Sequence, residues 1–210
     1  KTAYEIGVRL VGSEMCIRDR PKLERLMQLA RQATITVAID SEITARGLSE
    51  QARKDSVTVQ IVVEMDTGSK RCGVQSPQAV LALAQTIVDL PCLDFQGVKT
   101  YPSQLGAKPF IDETLELLQR DGISVSMVSG GGTGNEAYSK QIGCTETRSG
   151  SYIYEGMQRV GPETVNPETC ALRMIVTVVS TPVANRIIID GGMKTFTSYP
   201  PIPVSYTHLT

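Results

Sequence analysis

The segment Ser129-Gly130-Gly131-Gly132-Thr133-Gly134 carries the plainest chemical signal in the sequence. Glycines let backbone amides approach and turn toward an anion, and a helix starting just beyond them adds the positive end of its dipole. Thr133 adds a hydroxyl donor. A phosphate is a ligand this composition suits, although the run has neither the lysine of a P-loop nor the GxGxxG spacing of a dinucleotide site. Alone it also describes a flexible loop; its place directly after an apolar strand-like stretch favours the anion.

A second candidate spans residues 64–73, EMDTGSKRCG, again after an apolar stretch. The guanidinium of Arg71 can donate to an anionic oxygen at fixed geometry, whereas most loop arginines are simply solvated. Lys70 would need burial and a depressed pKa to act as a covalent amine, and nothing around it in the sequence supplies that. Tyr101 ends the next apolar stretch, where a tyrosine is ordinarily core or surface, and Asp190-Gly191-Gly192-Met193-Lys194 reads as a β-turn.

The elements that must position these groups alternate in period. Residues 21–31 put Leu23, Leu26, Leu29 and Ala30 on one helical face behind a first-turn Pro21. The β-branched run 34–39 predicts a strand, followed by a turn or cap at Asp40 and Ser41 and a helix over 42–54. A strand is expected over 57–64. Ser76 and Pro77 then open a helix to Val88, with Val80, Leu81, Ala84, Ile87 and Val88 inward. The pattern continues with a strand over 95–100, a helix over 109–120 closed by Gly122, a strand over 123–128 and another over 145–148. Near-continuous apolar strands between amphipathic helices indicate α/β organisation around a parallel sheet. In a (β/α) barrel the loops after the strands hold the active site; an open doubly wound sheet fits the same periods. Beyond residue 160 the pattern turns β-rich, over 171–180 and 186–190, with a turn marked by Pro182 and Asn185.

The formal net charge is −1 and no basic cluster is present, which argues against a nucleic-acid or membrane partner. No apolar run reaches the roughly 18 residues of a membrane span. Cys72, Cys92, Cys144 and Cys170 form no CxxC pair and read as reduced thiols of a cytoplasmic protein. The ends, YEIGVRLVGSEMCIRDR and VSYTHLT, resemble translated sequencing-adapter read-through. Residues 1–20 and 204–210 are therefore set aside, and Cys16 and the sole histidine, His208, go with them.

Five segments in order, VEMDTGSKRCGV, LDFQGVKTY, VSGGGTG, TETRSGSY and IIIDGGMKTFTS, together with the opening PKLERLMQLARQATITVAIDS, resemble the D-threonine aldolase and D-serine dehydratase-like family. The resemblance covers nearly all of residues 21–198. It implies a partial (β/α)8 TIM-type barrel of the alanine racemase N-terminal kind over 21–160, followed by the start of a C-terminal β-domain over 161–203. It further implies a pyridoxal 5'-phosphate cofactor and, in the full-length parent, a divalent metal (Mn, Mg or Zn). The activity implied is lyase chemistry on a small D-β-hydroxy amino acid, by retro-aldol cleavage to glycine and an aldehyde or by dehydration, in a monomer or homodimer.

On the same resemblance Arg71 lies by the cofactor's phenolic oxygen and Tyr101 borders the cofactor. Gly131, Gly132 and Thr133, with Gly150 and Ser151 of a second loop, hold the phosphate; Asp190 to Lys194 match a β-domain segment of undefined role. The family often follows its tyrosine with a histidine-containing loop, whereas this chain reads Tyr101-Pro102-Ser103-Gln104, which bears on substrate identity. The family's Schiff-base lysine precedes the native residues, so no catalytic residue is assigned, and its metal-ligand pair lies beyond them. The chain is accordingly expected to be a fragment without turnover of its own. A non-catalytic cofactor-binding barrel and a phosphosugar-type barrel enzyme are the other readings; the β-rich tail disfavours the first and the ordered motifs the second.

Overall fold

A computed structural model of the chain describes residues 20–153, 168, 170, 171, 174–192 and 195. Residues 1–19 and 204–210 of the adapter-like ends, residues 161–167, and Met193 and Lys194 lie outside the described residues. The chain divides into two compact units, Lys1–Gly150 and Ser151–Thr210.

The first unit is an α/β layer structure. Helix α1 (Arg20–Ala30) leads into β1 (Thr36–Ile39), α2 (Glu42–Asp55), β2 (Val59–Met65), α3 (Pro77–Asp89), β3 (Leu93–Thr100), a 3₁₀ turn (Leu105–Ala107), α4 (Lys108–Arg120), β4 (Met127–Gly131), α5 (Glu136–Gln141) and β5 (Glu146–Arg148). The five strands pair in sequence order, every neighbour parallel, as in a partial TIM-type barrel. Sequential parallel strands need a crossover, and the helices supply it.

Alternation along β2 sorts its two faces. Val59, Ile61, Val63 and Met65 join a core with Leu48 and Ala52 of α2, Val80, Ala84 and Ile87 of α3, and Ile111 and Leu118 of α4. Each such large side chain, fully buried, contributes about 1.5–3 kcal/mol. Val62 and Glu64 fall on the opposite face, and register sets Glu64 beside Lys99. The Lys99 Nζ lies 3.3 Å from a Glu64 carboxylate oxygen, with both residues below 10% exposed (9% and 6%).

The structure corrects several expected boundaries. In α3, Leu83 is buried and Val88 is 55% exposed. From Val80 the helical period centres the inward stripe on residues 80, 83, 84 and 87 and leaves 81 and 88 at its edges. The Ser76 hydroxyl accepts the Ala79 amide at 3.2 Å and caps the helix as expected. The strand expected over 123–128 instead runs from Met127 to Gly131, taking half of the glycine run into the sheet. Pairing with β3 on one side and β5 on the other supplies the reason: Ser129, Gly130 and Gly131 face Glu146, Thr147 and Arg148 in register. Helix α5 follows that run, an element the residue pattern left as an unassigned segment.

In the second unit, β6 (Val178–Val183) and β7 (Arg186–Ile189) form an antiparallel hairpin. Pro182 lies within β6 and not in the turn, which is at Ala184 and Asn185. A proline is tolerated there because Pro182 is not itself one of the paired residues of the ladder. Asp190 closes the hairpin base, its carboxylate accepting the Thr177 amide at 2.9 Å, and that bond holds its pKa below the ordinary aspartate range. Among the described residues no helix is long and apolar enough to cross a membrane.

Candidate functional site

Parallel strands end on a common edge, and there the loops after β1 to β5 are joined by a continuous series of contacts. Asp40, just past β1, accepts the Gly73 amide at 3.2 Å. Gly73 closes the loop after β2, whose far end is pinned by bonds from the Asp66 amide to Val74 O (3.0 Å) and from the Val74 amide to Glu64 O (2.8 Å). Within it Asp66 acts as a local cap: its Oδ1 accepts the amides of Gly68 and Lys70, each at 3.0 Å. Those backbone donors, Gly68 first, hold the Asp66 pKa below the ordinary range.

The organised loop presents Arg71 over the ring of Tyr101, 5.2 Å from guanidinium carbon to centroid. Two further bonds tie the β2 and β3 ends: the hydroxyls of Thr67 and Thr100 are 2.6 Å apart, and Gln104 donates to Thr67 O at 3.3 Å. Cys72, next to Arg71, bonds to Glu64; burial, then the Glu64 charge, raises its thiol pKa. Lys70 is exposed with φ +55°, so it has none of the burial a covalent amine requires.

From β3 the series continues to the glycine run. The Ser103 amide donates to Gly131 O at 2.7 Å, and the Gly131 amide donates to Ser103 Oγ at 2.9 Å. The Gly132 amide reaches Arg148 O at 3.4 Å, and the Gly150 amide donates to Thr133 Oγ1 at 3.2 Å. Thr133 and Gly150, assigned to one anion site from sequence, are thus directly bonded. Arg148 donates through Nη2 to Thr100 O at 3.0 Å and through Nη1 to Ser129 Oγ, and Ser129 in turn donates to Glu146. A Cβ on Gly131 would lie 3.1 Å from Arg148 Nη2, so the arginine occupies the space a side chain there would need.

Of the residues named from sequence, Arg71, Tyr101, Gly131, Gly132, Thr133 and Gly150 gather along this edge. Ser151 begins a 3₁₀ turn (Ser151–Ile153) in the second unit, directly after Gly150 in the chain. Sequence reasoning gave no role to Arg148, Ser103 or the Glu64–Lys99 pair. An arginine at the end of the strand expected over 145–148 and a serine just past the strand expected over 95–100 were the available signals, and only the fold shows that both reach the glycine run. The groups fit a phosphorylated, ring-bearing anion: an exposed guanidinium over a tyrosine ring, and a threonine hydroxyl on a glycine-rich turn that leaves room for a ligand. No group of three or more histidine, cysteine, aspartate or glutamate side chains among the described residues could hold a metal ion, so they do not fit one.

The alanine racemase N-terminal domain profile matches residues 9–158, opening inside the first segment set aside as adapter-like. D-threonine aldolase of Arthrobacter sp. is 32% identical over 194 residues, covering 84% of this chain and 51% of that protein. A 3-hydroxy-D-aspartate aldolase of Paracoccus denitrificans (strain Pd 1222) is 28% identical over 205 residues, covering 85% of this chain and 52% of the relative. The crystal structure of D-threonine aldolase from Filomicrobium marinum superposes with a TM-score of 0.70 at 25% identity, over 84% of this chain and 52% of that one. The chain spans about half the length of the curated relatives it matches. With its parallel sheet and the loops joined along one strand edge, the chain belongs to the alanine racemase N-terminal domain family and is similar, within it, to D-threonine aldolases.

Proposed function

We propose that this chain is the cofactor-binding part of a pyridoxal-phosphate-dependent lyase that cleaves small D-β-hydroxy amino acids to glycine and an aldehyde. The observation that carries the reading is the series of contacts at the strand ends, which brings Arg71 and Tyr101 onto the same edge as the Gly131–Thr133 turn and Gly150. When bound, pyridoxal phosphate supplies an electron-withdrawing ring for the electrons released at the substrate Cα. Arg71 would donate to the anionic ring oxygen of the cofactor, with the ring face of Tyr101 holding the guanidinium in place. Thr133, with the backbone of Gly132 and Gly150 beside it, would border the phosphate, and Gly131 keeps the turn narrow. Retro-aldol cleavage is favoured over dehydration because the curated relatives are aldolases.

On this reading the 210 residues hold the cofactor without turning substrate over. The described residues up to Gly150 belong to the barrel part, and the hairpin of β6 and β7 belongs to the β-domain. Metal activation, which the resemblance implies, finds no donor set among the described residues. Cys72, Cys92, Cys144 and Cys170, none of them in a disulfide, go with a reducing, cytoplasmic setting.

The test is to recover the complete reading frame, express it with pyridoxal phosphate and manganese, and supply D-threonine. Release of glycine and acetaldehyde is the expected result. Cofactor binding without release would move the function to dehydration or cofactor carriage, and absence of binding would overturn the reading.

A further inference from the structure

Ser103 has no counterpart among the roles assigned so far, yet it is fully buried at the centre of the edge. It lies two residues after Tyr101, and it makes a reciprocal pair of bonds with Gly131, 28 residues away: amide to carbonyl at 2.7 Å, and hydroxyl from amide at 2.9 Å. The Ser139 hydroxyl, also buried, donates to the same Ser103 oxygen at 2.8 Å and lies 3.1 Å from the Thr147 hydroxyl. Ser103 Oγ therefore receives two donors from two different elements, which fixes its position.

The neighbouring glycine shows that this arrangement is built into the sequence. A Cβ on Gly130 would lie 2.6 Å from Ser103 Oγ and 2.8 Å from both Ser139 Oγ and Cys144 Sγ. The space beside the strand is thus filled by the hydroxyl pair and a thiol. The Gly131 amide points at Ser103, so an anion in the turn takes its hydrogen bonds from the groups that follow.

We propose that Ser103 is a positioning residue for the cofactor's phosphate, clamping the Gly131–Thr133 turn to the loop that carries Tyr101 so that the phosphate arm and the ring arm of the site are held in one register. This rests on the cofactor reading above. Ser103 touches neither the phosphate nor the ring; it acts through Gly131 and through the short loop back to Tyr101.

The experiment compares pyridoxal phosphate with pyridoxal, which lacks the phosphate, by spectroscopic titration of the full chain and its variants. In Ser103→Ala the preference for the phosphorylated compound is expected to fall about tenfold, as loss of one buried hydrogen bond implies. Affinity for pyridoxal should stay within about twofold, because a purely structural defect would lower both together. Exchange of the Gly131 amide, read without cofactor, should quicken about tenfold in the same variant. If Ser103→Ala binds neither compound, Ser139→Ala decides, since it removes one donor but leaves the Ser103–Gly131 pair. A fall of about threefold in preference supports the clamp, and an unchanged preference overturns it. A wild-type chain that prefers pyridoxal phosphate, with Ser103→Ala variants keeping that preference and the slow Gly131 exchange, overturns the role of Ser103 alone. A wild-type chain with no preference overturns the cofactor reading and this role with it.

Discussion

The guanidinium of Arg71 rests over the ring of Tyr101, 5.2 Å from its centroid, joining two loops that the chain keeps 30 positions apart. Both residues are exposed, so the contact itself is worth only about 0.5–1 kcal/mol. Its value is orientation. Arg71→Ala is expected to weaken pyridoxal phosphate binding about tenfold or more, and Arg71→Lys to recover only part of that because an ammonium cannot present two parallel donors. Tyr101→Phe should remain near wild type and Tyr101→Ala should not. Equilibrium titration of the four variants checks the order.

The Glu64–Lys99 pair faces away from the helical core and is nearly closed to solvent. Removing one partner strands a buried charge, so Lys99→Ala is expected to lower stability by about 3–5 kcal/mol. Glu64→Gln combined with Lys99→Met should restore much of the loss, since a buried pair is often replaceable by groups of similar volume. Urea unfolding of the single and double variants measures both. Equal losses in the single and double variants would show that the pair is not the source of the effect.

Gly97 has φ +146°, at a register shift between β2 and β3, and a Cβ there would lie 1.9 Å from Met127 O. Backbone cannot yield as a side chain can. Gly97→Ala should therefore separate β3 from β4 and cost more than about 3 kcal/mol, beyond the usual range for one methyl group. Expression as insoluble protein, or a large drop in denaturation midpoint, is the expected outcome; a soluble variant of wild-type midpoint would contradict it.

Asp66 binds its own loop through the amides of Gly68 and Lys70, and its folded-state pKa is lowered. A depressed carboxylate contributes stability above its unfolded pKa, and that contribution disappears as pH falls through the folded value. The loop carrying Arg71 should accordingly loosen on acidification below the ordinary aspartate range and be unaffected between neutral and mildly acidic pH. Asp66→Ala should abolish that acid step and leave the loop loose at every pH. Amide exchange at Gly68 and Lys70 across pH, corrected for intrinsic rates, reads it directly.

Much of the fold was legible because it depends on local pattern. The strands and helices from residue 20 to 120 fall within a few positions of those expected, since their apolar periods, the Ser76 cap and the Gly122 stop are all encoded within a few residues of each element. The misses share another cause. Glycines 130 and 131 carry no strand propensity, and they enter β4 because β5 pairs them with Thr147 and Arg148, continuing a strand that β3 holds as far as Ser129. Val88 lies outside the core because the burial stripe is set by the sheet it packs on, not by hydrophobicity alone.

The sequence alone determined the α/β class, the order of the elements and the residue types able to meet a phosphorylated anion. These follow from periodicity and from side-chain chemistry, which are properties of neighbours along the chain. Only the tertiary structure decided which of those residues share a site. It laid Arg71 on Tyr101, bonded Gly150 to Thr133, drew Arg148 against Thr100 and Ser129, and closed Ser103 on Gly131. The physical reason is that parallel strands end on one edge while the residues at those ends are tens of positions apart, so their proximity is set by strand order and register.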